Sequence, residues 1–322
     1  MTKAIRIHQV GGPEVMRVEE VVVGAPGAGE ARVRHQAIGV NYVDTYHRSG
    51  LYPLPLPSGL GVEAAGVVEA VGDGVTSVRP GDRVAYVAGP GAYAGERVLP
   101  AERLVKLPAG VSSELGVAAL MKGLTAHMLV TRVHAVKAGE PVVVTAAAGG
   151  VGQVLVQWLA SIGARVIGVV GTASKAELVR GLGAEVVLVS GADDVPARVK
   201  ALTGGGVPVV YDSVGAASFE ASLDCLAPFG LMVTYGNASG PVPPVDLGLL
   251  SRKGSLSICR PTVFQHIATR AELERAAAAL FALLDGGKIK VVVGGRWPLA
   301  QAADAHRALQ SRATTGSLLL LP

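Results

Sequence analysis

The stretch Ala146-Ala-Ala-Gly-Gly-Val-Gly152 is almost bare of side chains, and it lies between an apolar run, Pro141 to Thr145, and an apolar-periodic run that starts at Val151. Residues this small let another group lie directly against the backbone. Read as Ala147-x-Gly149-x-x-Gly152, they follow the spacing G-x-G-x-x-G. In that spacing the middle glycine admits a pyrophosphate to the backbone, and the last lets a helix pack closely on a strand. The amide N–H groups at the start of the helix would hold the phosphate. A tight structural turn with no ligand would use the same residues, so the spacing alone leaves both readings open. About twenty residues further on, a site for NADH would carry an Asp or Glu for the ribose 2′-hydroxyl. This chain has Val169-Val-Gly-Thr-Ala-Ser-Lys175 instead. With no acid to repel it, a 2′-phosphate could take hydrogen bonds from Thr172 and Ser174 and the charge of Lys175, which favours NADPH over NADH. Thr172-Ala-Ser can cap the next helix at the same time.

For this chemistry to work, a strand must deliver the glycines and a helix must begin on them. The spacing puts Val151, Val154, Leu155, Trp158, Leu159 and Ile162 on one helix face, and Gly163 supplies the stop. Candidate strands are Val142–Ala146, Arg165–Val170, Glu185–Leu188, Val207–Asp212, Leu231–Tyr235 and Ser255–Ile258, with helical stretches between most of them. Strand and helix in alternation predict an α/β, doubly wound parallel sheet of the Rossmann type, because parallel strands need crossovers that cover both faces. From Met1 to about Leu107 the texture differs: short β-type runs such as Ala31–Ile38 and Arg83–Val87 are punctuated by Gly-Asp-Gly and Arg-Pro-Gly-Asp turns. That predicts a mostly-β, partly barrel-like first domain. A helix around Glu272–Leu284, a short strand, a helix from about Leu299 to Gln310 and a strand Ser317–Leu321 form a tail too small to stand alone, which is expected to return to the first domain.

The 322 residues suit two domains, and half are hydrophobic with 17% charged. No charge-free apolar stretch is long enough to span a bilayer. The start, MTKAIRIHQVGG, alternates like a strand and lacks the apolar run of a secretion signal, which points to the cytoplasm. Net charge is +4 from 29 basic and 25 acidic residues, with no basic run beyond Arg252-Lys253. Such a diffuse charge argues against nucleic acid as a partner and suits anionic small ligands. Cys225 and Cys259 can form neither a disulfide framework nor a four-cysteine metal site. His127 and His134, seven apart on an expected helix, could share a face, but two histidines do not make a metal centre.

Several stretches together resemble one family along essentially the whole chain. They include Gly12-Pro-Glu14, Asn41-Tyr-Val-Asp-Thr-Tyr-His-Arg-Ser-Gly-Leu-Tyr52, Gly59-Leu-Gly-Val-Glu-Ala-Ala-Gly66, Lys122-Gly-Leu-Thr125, Ala146–Gly152, Tyr211-Asp-Ser-Val-Gly215, Gly236-Asn237, Arg260-Pro261 and Ser311-Arg-Ala-Thr314. The chain resembles the zinc-free NADPH:quinone oxidoreductases, the zeta-crystallin-like branch of the medium-chain dehydrogenase/reductase superfamily. The resemblance implies a GroES-like catalytic domain over residues 1–124, completed by 264–322, and a Rossmann NADPH-binding domain over 125–263. Carried over by position, the family's cofactor contacts fall on Asn41, Tyr42, Asp44, Thr45, Tyr46, Thr125, Met128, Gly149, Gly150, Val151, Gly171, Thr172, Ala173, Ser174, Lys175, Ser190, Ser213, Asn237, Arg260 and Arg312. Arg260 and Arg312 can serve phosphates or neighbouring polar groups, and Arg312 equally a helix C-terminus. Asp212 is expected to brace a strand end. Ser190 and Met128 stand where close relatives tend to have tyrosines.

The implied reaction is reduction of a quinone by NADPH, with Asn41 and Tyr46 as the catalytic residues that place the acceptor or the nicotinamide, and Tyr52 at the entrance. Tyr46 could instead be a core tyrosine. Zinc enzymes of the superfamily have a Cys and a His where this chain has Asn41 and Val62, so no metal is expected. Rival readings are an NADPH-dependent reductase of enals, enones or enoyl thioesters, and a non-catalytic NADPH- or RNA-binding protein. The resemblance also implies a homodimer, with Gly254–Arg260 as an edge strand pairing across a two-fold axis.

Overall fold

The computed structural model describes residues 1–311 and 313–322, so the expectation for Arg312 lies outside the described residues. Contacts divide the chain into two compact units, one of Met1–Met121, Ala268–Phe281 and Val291–Pro322, the other of Lys122–Ile267 and Ala282–Lys290.

The first unit is built from β1 (Thr2–Ile7), β2 (Arg17–Val21), β3 (Glu30–Val40), β4 (Ser58–Gly59), β5 (Glu63–Val71), β6 (Arg83–Val87), β7 (Glu96–Pro100) and β8 (Leu104–Lys106). In β3, buried Ala31, Val33, His35 and Ala37 alternate with more open Arg32, Arg34 and Gln36, the period of a half-buried strand. The strand pairs antiparallel with β5 and, through its first half, with β7. Its last residues run straight into α1 (Tyr42–Ser49), with Asn41 as N-cap and Gly50 closing the helix at φ 83, a left-handed turn that a glycine makes without strain. Helix α2 (Ser113–Met128) follows and spans the boundary between the units.

In the second unit β9 (Pro141–Val144), α3 (Gly150–Ile162), β10 (Arg165–Val170), α4 (Ala176–Gly181), β11 (Val186–Val189), α5 (Val195–Thr203), β12 (Val207–Asp212), α6 (Phe219–Asp224), β13 (Leu226–Thr234), α7 (Leu247–Arg252) and β14 (Ser257–Cys259) alternate along the chain. The sheet order is β11-β10-β9-β12-β13-β14, every pair parallel. This is the doubly wound order 3-2-1-4-5-6, whose direction reverses between β9 and β12. Val142, Val143 and Val144, and Val166 to Val170 beside them, are buried apolar runs, as a sheet covered on both faces requires.

Helix α3 departs from the one-sided face read from the sequence. Gly152 to Leu159 are buried all round, including Gln153 and Gln157. The glutamines can be buried because their amides are bonded: Gln153 Nε2 donates to Ala148 O (2.8 Å), and Gln157 exchanges two bonds with Lys290, Nε2 to O (3.0 Å) and Oε1 from N (2.8 Å).

After α8 (Val263–His266) and α9 (Arg270–Asp285), the tail forms β15 (Val293–Pro298), α10 (Ala302–Gln310) and β16 (Ser317–Leu321). Strand β16 pairs antiparallel with the end of β3, Leu318 opposite Val40 and Leu320 opposite Ile38. Leu318 and Leu320 join Val33, Ile38, Leu60, Tyr86 and Leu104 in one hydrophobic core. The strand that leads into Asn41 is thereby held on both sides.

Candidate functional site

The residues singled out in the second unit fall at one edge of its sheet. Each group follows the carboxyl end of a strand: the glycines after β9, Gly171–Lys175 after β10, Ser190 after β11, Ser213 after β12, Asn237 after β13 and Arg260 after β14. In doubly wound sheets, ligands bind outside these carboxyl ends, at the point where the strand order reverses.

The glycine turn is tight. Ala146 has φ 47, left-handed for a residue with a Cβ, which costs about 1–2 kcal/mol. Its carbonyl accepts from Gly149 N–H at 2.8 Å. A Cβ on Gly152 would collide with Ala146 O and lie 2.8 Å from Ala147 Cα, so this glycine is required by the close approach of helix to strand. Gly149 is the N-cap of α3. The amides of Gly150, Val151 and Gly152, the first of the helix, have no carbonyl a turn earlier to bond and are available to an anion.

Beyond β10, Gly171 to Ser174 are exposed, Lys175 is half-buried, and Thr172 Oγ1 lies 2.9 Å from Ser174 Oγ. Ala173 to Lys175 form a short 3-10 turn with Thr172 as N-cap, but no side-chain bond closes it. Ser190 is exposed and its N–H donates to Val170 O (2.8 Å). Asp212 is wholly buried. Its Oδ1 accepts from Val214 and Gly215 N–H (both 2.9 Å) and its Oδ2 from Ser222 Oγ (2.7 Å), the strand-end brace expected of it. Ser213 N–H donates to Thr145 Oγ1 (3.2 Å). Arg260 Nη1 donates to Thr234 O and Gly236 O (both 3.0 Å). Oriented to satisfy its neighbours, the Asn237 amide donates to Gly236 O (3.0 Å) and accepts from Arg260 Nη2 (2.9 Å). Arg260 thus holds the loop that presents Asn237. Thr125 and Met128, on the last turns of α2, are 8% and 3% exposed.

The other residues gather on α1 in the first unit. Tyr46 is buried and meets Tyr52 edge-on, ring centroids 5.2 Å apart, and the Tyr42 ring lies 6.3 Å from it. Thr45 Oγ1 donates to Tyr42 O (2.7 Å) and Tyr42 OH to Leu309 O (3.1 Å). Asp44 is fully buried, its Oδ2 accepting from Asn41 N–H (2.8 Å) and Tyr93 OH (2.9 Å). Tyr93 OH also lies 2.9 Å from His306 Nε2, and His306 Nδ1 lies 2.9 Å from Arg48 Nη1.

The donors in this chain can be assigned. A guanidinium only donates, so Nδ1 accepts; the proton of His306 is then on Nε2 and is given to Tyr93, whose own proton goes to Asp44. The network runs one way, from a buried cation to the N-terminus of α1. Burial, and then the adjacent Arg48 cation, holds the His306 imidazole down at about 3. Burial and then Asp44 push the Tyr93 phenol far above its usual range. His306 and Tyr93 were not singled out from the sequence. They stand 213 residues apart, and no local pattern marks either one.

The two histidines considered as a pair are not one. A π-helical turn at Leu129–Val133 ends the helix, and His134 beyond it is extended. His127 Nδ1 instead lies 2.8 Å from His266 Nε2, and His134 Nε2 lies 2.5 Å from Glu140 Oε1. Among the described residues, no three His, Cys, Asp or Glu side chains come together to hold a metal ion. Asn41 Nδ2 is bonded to Glu63 Oε1 at 2.7 Å, and Val62 is buried. Burial, with Asp224 adding to it, pushes the Cys225 thiol up to about 12, so it is inert.

Two family models match the chain: Alcohol dehydrogenase GroES-like domain over residues 27–109 and Zinc-binding dehydrogenase over residues 150–282. With the parallel sheet and the β-rich unit, they define a medium-chain dehydrogenase/reductase. A quinone oxidoreductase of Pseudomonas aeruginosa is 49% identical, with all of both chains covered. The crystal structure of Escherichia coli quinone oxidoreductase in complex with NADPH superposes with a TM-score of 0.97 at 46% identity, covering 99% of this chain and all of that one. A 2-haloacrylate reductase of a Burkholderia species is 44% identical, covering 100% of this chain and 99% of that one. The chain belongs to the quinone oxidoreductase family.

Proposed function

We propose that this protein is an enzyme that reduces quinones with NADPH as hydride donor. The observation that carries the reading is the placement of Gly149–Gly152, Gly171–Lys175, Ser213 and Asn237 at successive strand ends beside the reversal of sheet order. A dinucleotide laid along that edge meets, in turn, the groups its parts require. The first amides of α3 hold the pyrophosphate. Thr172, Ser174 and Lys175 take the 2′-phosphate, and Asn237, fixed by Arg260, takes the nicotinamide carboxamide. The bound cofactor supplies a hydride at its nicotinamide ring, and the protein supplies orientation and electrostatics.

Asn41 and Tyr46 are assigned the placing of the acceptor or the nicotinamide, and Tyr52, packed edge-on against Tyr46, lines the approach. The Asp44, Tyr93, His306 and Arg48 network keeps α1 in place while they do so. One proton from water completes the balance, since quinone, hydride and proton give hydroquinone.

A second reading, reduction of activated alkenes on the same cofactor site, is favoured by the similarity to a 2-haloacrylate reductase. Stopped-flow turnover of NADPH with 1,4-benzoquinone and with a 2-alkenal separates the two. Quinone turnover is expected to be the faster, and a background quinone rate beside a fast alkenal rate defeats the first reading.

We also propose a homodimer. Among the described residues, β14 is the outer strand of its sheet, and an edge strand can pair with a second copy across a two-fold axis. Light scattering should give twice the chain mass.

A further inference from the structure

We propose that Tyr235 is a positioning residue for the cofactor: on binding, its buried hydroxyl donates to Ser213 Oγ and turns the serine's own proton outward, to an acceptor oxygen of the nicotinamide-side ribose. The inference rests on the reading above that the dinucleotide lies along this edge. Tyr235 is the first residue past β13, and its N–H donates to Asp212 O at 2.8 Å. Asp212 is in register with Thr234, so the parallel pairing of β12 and β13 sets Ser213 beside Tyr235. The two loops are held close: Ala238 N–H donates to Ser213 O (3.2 Å), and a Cβ on Gly236 would collide with that same carbonyl.

Tyr235 as a residue is half-buried, but its hydroxyl is sealed from solvent and makes no hydrogen bond among the described residues. Such groups are rare, because a buried hydroxyl left unbonded is costly. Burial pushes the phenol well above its usual range; the Ser213 side chain, near but short of hydrogen-bonding geometry, pulls it partly back, and the Asp212 charge adds to the rise. The Asp212 oxygens are turned to the N–H groups of Val214 and Gly215 and to Ser222 Oγ, and Thr145 Oγ1 takes the Ser213 N–H. Ser213 Oγ is the neighbour that a small rotation brings into line.

The direction of the bond follows from the donors. A phenol has one proton to place, and were Ser213 to donate to it, that proton would stay buried and unbonded. With Tyr235 as donor, Ser213 accepts and keeps its own proton for a ligand. Sheet order says which part of the ligand this is. Strand β12 stands between β9, whose glycine turn takes the pyrophosphate, and β13, which presents Asn237 to the nicotinamide. The group between pyrophosphate and nicotinamide is a ribose, and its oxygens accept. A bond made only in the complex adds to affinity and nothing to the stability of the free protein.

The test is a double-mutant cycle on wild type, Tyr235→Phe, Ser213→Ala and the double variant, read by fluorescence titration with NADPH and by the Tm of the free protein. Tyr235→Phe keeps the ring and removes only the hydroxyl. It should weaken NADPH by about three- to tenfold, the range for a hydrogen bond, while Tm stays level or rises. Ser213→Ala should weaken NADPH at least as much, and Tyr235→Phe should then add less than about twofold. Unchanged affinity in Tyr235→Phe beside a weakened Ser213→Ala, or the same loss in both serine backgrounds, overturns the proposal and leaves the cofactor edge standing. A lower Tm in free Tyr235→Phe also overturns it, since the hydroxyl would then be bonded before the cofactor arrives. Wild-type affinity in Ser213→Ala overturns it together with the placement of the ribose at β12.

Discussion

Acidification should weaken the first unit through two buried histidines. His35 gives its Nδ1 proton to Ala94 O (2.6 Å) and takes the Tyr86 hydroxyl on Nε2 (2.9 Å). Burial, opposed in part by the Ala94 carbonyl, brings it down to about 4; His306 is held at about 3. In the unfolded chain both would titrate near 6.5. Below that pH the unfolded state binds protons that the folded state refuses. The stability contributed by the neutral histidines is therefore complete above pH 6.5 and is lost as pH falls toward 4 and 3. At pH 5.0, about 1.5 units below the unfolded value, each loss is about 2 kcal/mol, so the pair accounts for about 4 kcal/mol. Urea unfolding followed by tryptophan fluorescence at pH 7.5 and 5.0 measures the drop. His306→Gln and His35→Gln will be less stable at both pH values, since each leaves partners unbonded, but each should shrink the pH-dependent drop by about 2 kcal/mol. The paired carboxylates of Asp82 and Glu185, held low by Lys106 and Arg165, titrate further down and are common to all variants. A drop of the same size in wild type and both variants would refute the reasoning.

Two other substitutions probe the dinucleotide edge. Gly152→Ala forces a methyl group against Ala146 O and Ala147 Cα, backbone atoms that cannot swing aside, so stability should fall by about 1–3 kcal/mol and NADPH affinity with it; Tm and a titration read both. Ser190→Tyr places a ring on the exposed end of β11, where the family resemblance puts a tyrosine against the adenosine. Calorimetry should show NADPH binding tighter by about 0.5–1.5 kcal/mol, and unchanged affinity would mean the adenosine lies elsewhere.

The sheet was legible in the sequence because its strands are buried on both faces. Arg165–Val170 and Val207–Asp212 were bounded correctly as unbroken apolar runs between turn residues, and the other strand ends moved by a few residues. The glycine turn was legible because close backbone approach forbids side chains. The left-handed Ala146 was not, since an alanine carries no mark of its φ. Gln153 and Gln157 lie outside the apolar face read from the spacing, and their bonds to Ala148 and Lys290 explain their burial. The network under α1 joins residues 44, 48, 93 and 306, held together by long-range topology that no window of sequence contains. Glu63 lay within a recognised stretch, but its complete burial depends on what stands opposite it, Gly39 and Asn41.

The most direct test of the dinucleotide edge is a parallel titration of NADPH and NADH into wild type and Lys175→Ala. If the strand-end loop from Gly171 to Lys175 reads the 2′-phosphate, the substitution should weaken NADPH by roughly 1.5–3 kcal/mol, the range for a charged hydrogen bond, and leave NADH nearly untouched. Equal losses for the two cofactors, or none for either, would contradict the placement of the cofactor along this edge.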